Sequence, residues 1–113
     1  MPKIEYGEIC PATEALNVVA GKWKMPIIAR LFREKKRFGD LKDSMDGISA
    51  KALAAALREL ESDGIIERQV THDMPVRIEY TLTDIGREMK PLLMEMNSWG
   101  KKYLTQHENK EKS

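Results

Sequence analysis

The feature that most constrains this sequence is an abrupt change of period at Gly64. From Ser49 to Asp63, Leu53, Leu57 and Leu60 recur at the spacing of one helix face, so one side of a helix is expected to be buried. Ser49 is suited to cap it, because its hydroxyl can accept from a free N–H of the first turn. Ala50, Ala52, Ala54, Ala55 and Ala56 raise the intrinsic helix propensity, and Gly64 stands where a C-terminal cap is needed. Beyond it the period is two: Ile66, Arg68 and Val70 alternate with Glu67, Gln69 and Thr71, then Val76, Ile78, Tyr80 and Leu82 with Arg77, Glu79 and Thr81. The turn His72-Asp73-Met74-Pro75 joins the two runs, which read as a β-hairpin. Such a hairpin is marginal alone and must pack on helices.

Those helices precede and follow it. A first helix is predicted from Cys10-Pro11, with Ala12, Leu16, Val19 and Ala20 at helical spacing and Gly21 as its end. A second carries Trp23, Ile27, Ile28, Leu31 and Phe32, with Pro26 confined to its first turn. Phe38, Leu41 and Met45 mark a short third helix, stopped by Asp46-Gly47. After the hairpin, Thr83 caps a long last helix in which Ile85, Met89, Leu92, Met96, Trp99 and Tyr103 form a seam with steps of four and three. Pro91 is expected to kink it.

Composition bounds the chain to a modest range of classes. With 113 residues there is room for one core, and the apolar and charged fractions of 42% and 33% suit a soluble globular protein. No apolar run approaches the ~20 residues of a membrane span, and Met1-Pro2-Lys3-Ile4-Glu5-Tyr6 has no apolar block behind it, so neither a membrane partner nor a signal peptide is expected. A single cysteine agrees with a reducing compartment, and a cytoplasmic location is expected. There is no phosphate-binding glycine loop, no His/Cys ligand cluster and no nucleophile–base motif, so neither an enzyme, a metal site nor a cofactor is expected.

The order helix, helix, short helix, alanine-rich helix, hairpin, long helix is that of a winged helix-turn-helix: mainly α with a small β-hairpin wing and N- and C-terminal dimerisation helices. The predicted organisation is one domain over residues 1–107. The helix-turn-helix covers about 38–63, the wing about 65–82 and the dimerisation helix about 83–105, with a disordered tail at 108–113. A net charge of +1 argues little for nucleic acid, but Lys22, Lys24, Arg30, Arg33, Lys35, Lys36, Arg37 and Lys42 cluster in one segment, which can make one face positive. On the fourth helix Lys51, Ala55, Arg58 and Ser62 lie opposite the leucines. Ser49, Ala50, Lys51 and Ala54 are expected nearest a major groove, with Arg58 in reach of phosphate or a guanine edge. Lys22, Lys24, Arg37, His72 and Arg77 complete the candidate DNA-binding set. An ordinary solvated helix face explains the same charges, and a solvated loop explains His72.

Nearly the whole chain, residues 10–103, resembles the HxlR-type family of bacterial and archaeal transcriptional regulators. The likeness is carried in order by Cys10-Pro11; Gly21-Lys22-Trp23; Arg37-Phe38 with Leu41; Gly47-Ile48-Ser49 with Lys51 and Leu53; Leu57-Arg58-Glu59-Leu60-Glu61 through Asp63-Gly64-Ile65-Ile66 to Arg68; Pro75; Glu79-Tyr80 with Leu82-Thr83 and Gly86; and Trp99. The resemblance implies homodimers on double-stranded operator DNA, with the first and last helices as the interface. That interface agrees with a seam of Leu16, Ile85, Met89, Leu92, Met96, Trp99 and Tyr103; capping of the domain's own core is the other reading of these residues.

The resemblance also implies a thiol switch at Cys10, since several members sense oxidants, quinones or aldehydes there. A cysteine in a helix's first turn meets the positive end of its dipole, which favours the reactive thiolate; a partly buried, inert cysteine is the other reading. The sequence departs from the family in Ala52, Ala54, Ala55 and Ala56, where polar residues are common, and in Glu34-Lys35-Lys36, which lacks the usual glycine. Alanine cannot hydrogen-bond a base, so direct readout is expected to rest on Ser49, Lys51 and Arg58, with DNA shape supplying the rest. The competing function is a winged-helix module for protein assembly, which has no need of the basic segment. The sequence names no small-molecule effector.

Overall fold

The computed structural model describes residues 10–112. The N-terminal stretch that entered the signal-peptide argument lies outside them. The order is α1 (Cys10–Val19), α2 (Lys24–Leu31), α3 (Phe38–Ser44), α4 (Ala50–Ser62), β1 (Ile66–Thr71), β2 (Arg77–Leu82), α5 (Asp84–Arg87) and α6 (Lys90–Lys112).

Local chemistry explains most boundaries. Pro26 is the third residue of α2, inside its first turn, where its missing N–H leaves no gap in the ladder. Ser49 Oγ accepts from Ala52 N at 3.0 Å and so caps α4. The other end of α4 closes with two bonds, Ile65 N to the Leu60 carbonyl at 2.9 Å and Gly64 N to the Glu61 carbonyl at 3.0 Å. This paired closure needs a left-handed residue at position 64, and Gly64 has φ +75°.

The leucine stripe of α4 is the centre of the core. Leu53, Leu57 and Leu60 are buried with Ile27, Ile28 and Leu31 of α2, Leu41 of α3, and Ile66 and Leu82 of the hairpin. Each such burial contributes roughly 1.5–3 kcal/mol, which orients α4 with its opposite side outward. Arg30, counted above in a basic segment, has a structural use. Its guanidinium donates to the Ser44 hydroxyl and carbonyl, both at 2.9 Å, and to the Pro26 carbonyl at 3.0 Å, tying the end of α3 to α2.

The hairpin is antiparallel, in a register running from Ile66 opposite Leu82 to Thr71 opposite Arg77. A third segment joins it, which alternation did not reveal: Lys36 exchanges both backbone bonds with Tyr80, at 3.0 and 2.7 Å. One isolated bridge has no period to read. It fastens the base of the wing to the loop between α2 and α3.

The C-terminal region departs from the expected kinked helix. Thr83 does act as a cap, its Oγ1 accepting from Gly86 N at 3.2 Å, but the helix it starts is the single turn α5. Gly86 lies so close to the base of the hairpin that an added Cβ would collide with the Ile65 carbonyl oxygen. Met89 N turns to the Gly86 carbonyl three residues back, at 3.2 Å, and Pro91 has no N–H with which to continue the ladder. The chain restarts as α6, with Pro91 second in its first turn, where proline is tolerated. Proline here accompanies a break followed by a new start, not a bend within one helix. α6 is also helical through Lys112, beyond the start of the tail expected at 108; the Glu and Lys residues there are good helix formers.

Candidate nucleic-acid interface

The surface opposite the α4 leucines is open. Lys51, Ala55, Arg58 and Ser62 are all exposed, as are Ser49 and Ala50 at the start of the helix. Neither Lys51 nor Arg58 forms a hydrogen bond or ion pair with another described residue. Two cations therefore project from a rod held by a buried stripe, separated by alanines that allow close approach. Ser49 uses its oxygen as the cap, which leaves its hydroxyl proton able to donate outward. Ala54 is half-buried and lines, with Arg58, Phe38 and Tyr80, the notch between α4 and the hairpin.

The remaining candidates divide. Arg37, at the start of α3, is exposed, and His72 and Arg77 are exposed at the outer end of the hairpin. Lys22 is exposed with its ammonium 4.8 Å from the centre of the Trp23 ring. Lys24 leaves the open set. Its ammonium sits 2.6 Å from the Glu59 carboxylate, and its side chain is only 12% exposed. The bond and charge of that ammonium hold the Glu59 carboxyl below its ordinary pKa. Lys24 therefore joins α2 to α4, and no spacing in the sequence identified a partner so far along the chain. Lys35 and Lys36 likewise face Glu79 and Glu34.

Sequence reasoning left Arg68 and Tyr80, which face each other across the hairpin, out of the candidate DNA-binding set. Beside Arg58 they border a notch of about 350 Å³ between α4 and the wing. The signal was available: alternation puts Arg68 and Tyr80 on the same hairpin face as Ile66 and Leu82, the face that meets α4.

The candidate interface residues also separate. Leu16, Ile85, Leu92, Trp99 and Tyr103 are exposed, with Trp99 67% accessible and its ring stacked 5.4 Å from Tyr103. Met96 is half-buried. Met89 packs on the chain's own core, which is the physical reason it leaves this set. Cys10 is exposed at the first position of α1, not the partly buried thiol of the alternative reading. Among the described residues no three His, Cys, Asp or Glu side chains gather into a metal site, and no helix is long and apolar enough to cross a membrane.

Residues 18–108 match the family model described as HxlR-like helix-turn-helix. The chain belongs to that family. A helix-turn-helix regulator of Synechocystis sp. is 40% identical over 105 residues, covering 93% of this chain and 78% of its own length. The regulator YdeP of Bacillus subtilis is 40% identical over 96 residues, covering 85% of this chain and 75% of its own. Among solved structures, the redox regulator HypR in its reduced form superposes with a TM-score of 0.81 at 36% identity, covering 88% of this chain and 98% of HypR. The reduced form of YodB from B. subtilis gives a TM-score of 0.75 at 38% identity, covering 80% of this chain and 89% of YodB. This HxlR-like chain is thus a transcriptional regulator of helix-turn-helix type, and these relatives are regulators, not enzymes.

Proposed function

We propose that the protein binds double-stranded operator DNA as a homodimer, with α4 of each protomer in a major groove, the hairpin beside it, and Cys10 as a thiol switch. The observation that carries this reading is the outward face of α4, where Lys51 and Arg58 stand exposed and unpaired on a helix whose other side is locked into the core. A helix of that width fits the major groove, and short side chains between the cations let its backbone approach the base edges.

Dimerisation is supported by what one protomer leaves uncovered. A chain of this length folded compactly has a radius of gyration of about 13 Å, whereas this one has 17.1 Å. The excess fits a long α6, which carries Leu92, Trp99, Tyr103 and Leu104 into solvent. Leu16 of α1 is similarly bare. For Cys10, support comes from its exposure and from two similar proteins, HypR, a redox regulator solved in reduced and oxidised forms, and YodB, solved reduced and after diamide treatment. With one cysteine per chain, any disulfide here joins two molecules.

Binding to duplex DNA, followed by fluorescence anisotropy over a range of salt, tests the reading. The expected result is retention on random duplex that falls steeply with salt, and a Lys51→Ala variant that loses affinity and base preference, by roughly tenfold for one good base contact. Salt-independent or absent binding, with capture of a protein partner by the same face, favours the assembly module instead.

A further inference from the structure

The notch between α4 and the hairpin brings together groups that the sequence reading left apart, Arg58 as a contact of α4 alone and Arg68 and Tyr80 only among the residues that carry the family likeness. Arg58 comes from α4, Arg68 from β1 and Tyr80 from β2, with Phe38 and Ala54 supplying apolar wall. The guanidinium of Arg58 and the phenol of Tyr80 make no hydrogen bond or ion pair with another described residue. Arg68 is held through one nitrogen only, its Nε donating to the Glu61 carboxylate at 3.1 Å. A guanidinium has five N–H donors in a fixed fork, so this bond aims the group and leaves its two terminal nitrogens unengaged. About half of the Arg68 side chain is accessible, at 52%.

We propose that this notch binds a phosphodiester of the DNA backbone, with Arg68 and Tyr80 as contacts and Glu61 as the residue that positions Arg68. The proposal rests on the DNA-binding reading and deepens it. Adjacent major and minor grooves are divided by a single sugar-phosphate strand. A helix in the major groove and a wing beside it therefore leave that strand one place to cross, the seam between α4 and β1. The seam here offers two guanidinium groups and a phenol to the phosphate oxygens, and apolar carbon to the deoxyribose. Charge-assisted bonds from arginine suit a phosphate in geometry as well as sign. The Glu61 carboxylate works in two directions: it orients Arg68, and it repels the incoming phosphate.

Anisotropy with wild-type protein and single variants tests the assignment. Arg68→Gln is expected to weaken binding roughly three- to tenfold on every duplex sequence and to reduce the slope of log affinity against log salt by about one. Glu61→Gln keeps an acceptor for Arg68 Nε but loses the charge, so affinity rises. Because Arg68→Gln also opens a surface ion pair, a neutral methylphosphonate stepped along the duplex gives an independent measure. One backbone position should weaken binding of the wild type distinctly more than binding of Arg68→Gln, in which only Arg58 and Tyr80 remain to meet that phosphate. If Arg68→Gln keeps both affinity and slope while Lys51→Ala weakens binding, the notch is not a phosphate site, although the DNA-binding reading stands. If the wild type binds no duplex, both fall together.

Discussion

Lys24 and Cys10 show how differently two side chains singled out from sequence are used. Lys24 is turned inward to Glu59, whose carboxyl is depressed below its ordinary pKa by the bond and charge of that ammonium. A depressed carboxyl stabilises the fold above its unfolded pKa, and the contribution is lost as pH falls through the lowered value. The expected outcome is an NMR titration midpoint for Glu59 below that of an ordinary glutamate, returning to it in Lys24→Met. Cys10 faces outward at the start of α1. Cys10→Ser is therefore expected to leave thermal stability within about 0.5 kcal/mol, as exposed substitutions usually do, and to abolish the response of operator binding to diamide. Unchanged diamide sensitivity in that variant would remove the switch. The residues least legible in the sequence were those whose role depends on a distant partner. Lys24, Arg30 and Arg68 each look like a surface cation until Glu59, Ser44 and Glu61 are brought beside them.

At the scale of elements, periodicity carried much of the information. The helix spacing of Leu53, Leu57 and Leu60 and the alternation from Ile66 to Leu82 located α4 and the hairpin, because burial on one face imposes a period that sequence preserves. What escaped was organisation with no period. The Lys36–Tyr80 bridge is one residue long, and the turn between α5 and α6 lies inside a heptad-like pattern that reads straight through it. Pro91 distinguishes the two descriptions of that region. Proline in a helix interior costs about 3 kcal/mol or more, so Pro91→Ala would stabilise a single kinked helix substantially. In a separate α6 the same residue occupies the first turn, where the missing N–H of proline costs no helical bond. Pro91→Ala is accordingly expected to change the unfolding free energy by less than about 1 kcal/mol, measured by urea denaturation.

Across the whole molecule, the proposed function joins the α4 face and the exposed α6 residues in one scheme, in which paired protomers would present two reading helices at a fixed separation. Trp99, two-thirds exposed and stacked on Tyr103, lies in the middle of the uncovered apolar surface. Trp99→Glu places a charge where an apolar contact is proposed, so the wild type is expected to sediment as a dimer and the variant as a folded monomer. Its operator affinity should fall as well, since one half-site contact remains instead of two. Selection of bound sequences from random duplex DNA by the wild-type protein tests the central claim most directly. The account predicts enrichment of a two-fold symmetric motif with half-site centres about 10 base pairs, one helical turn, or a multiple of that apart. Recovery of no motif, or of a single unpaired half-site, would contradict it.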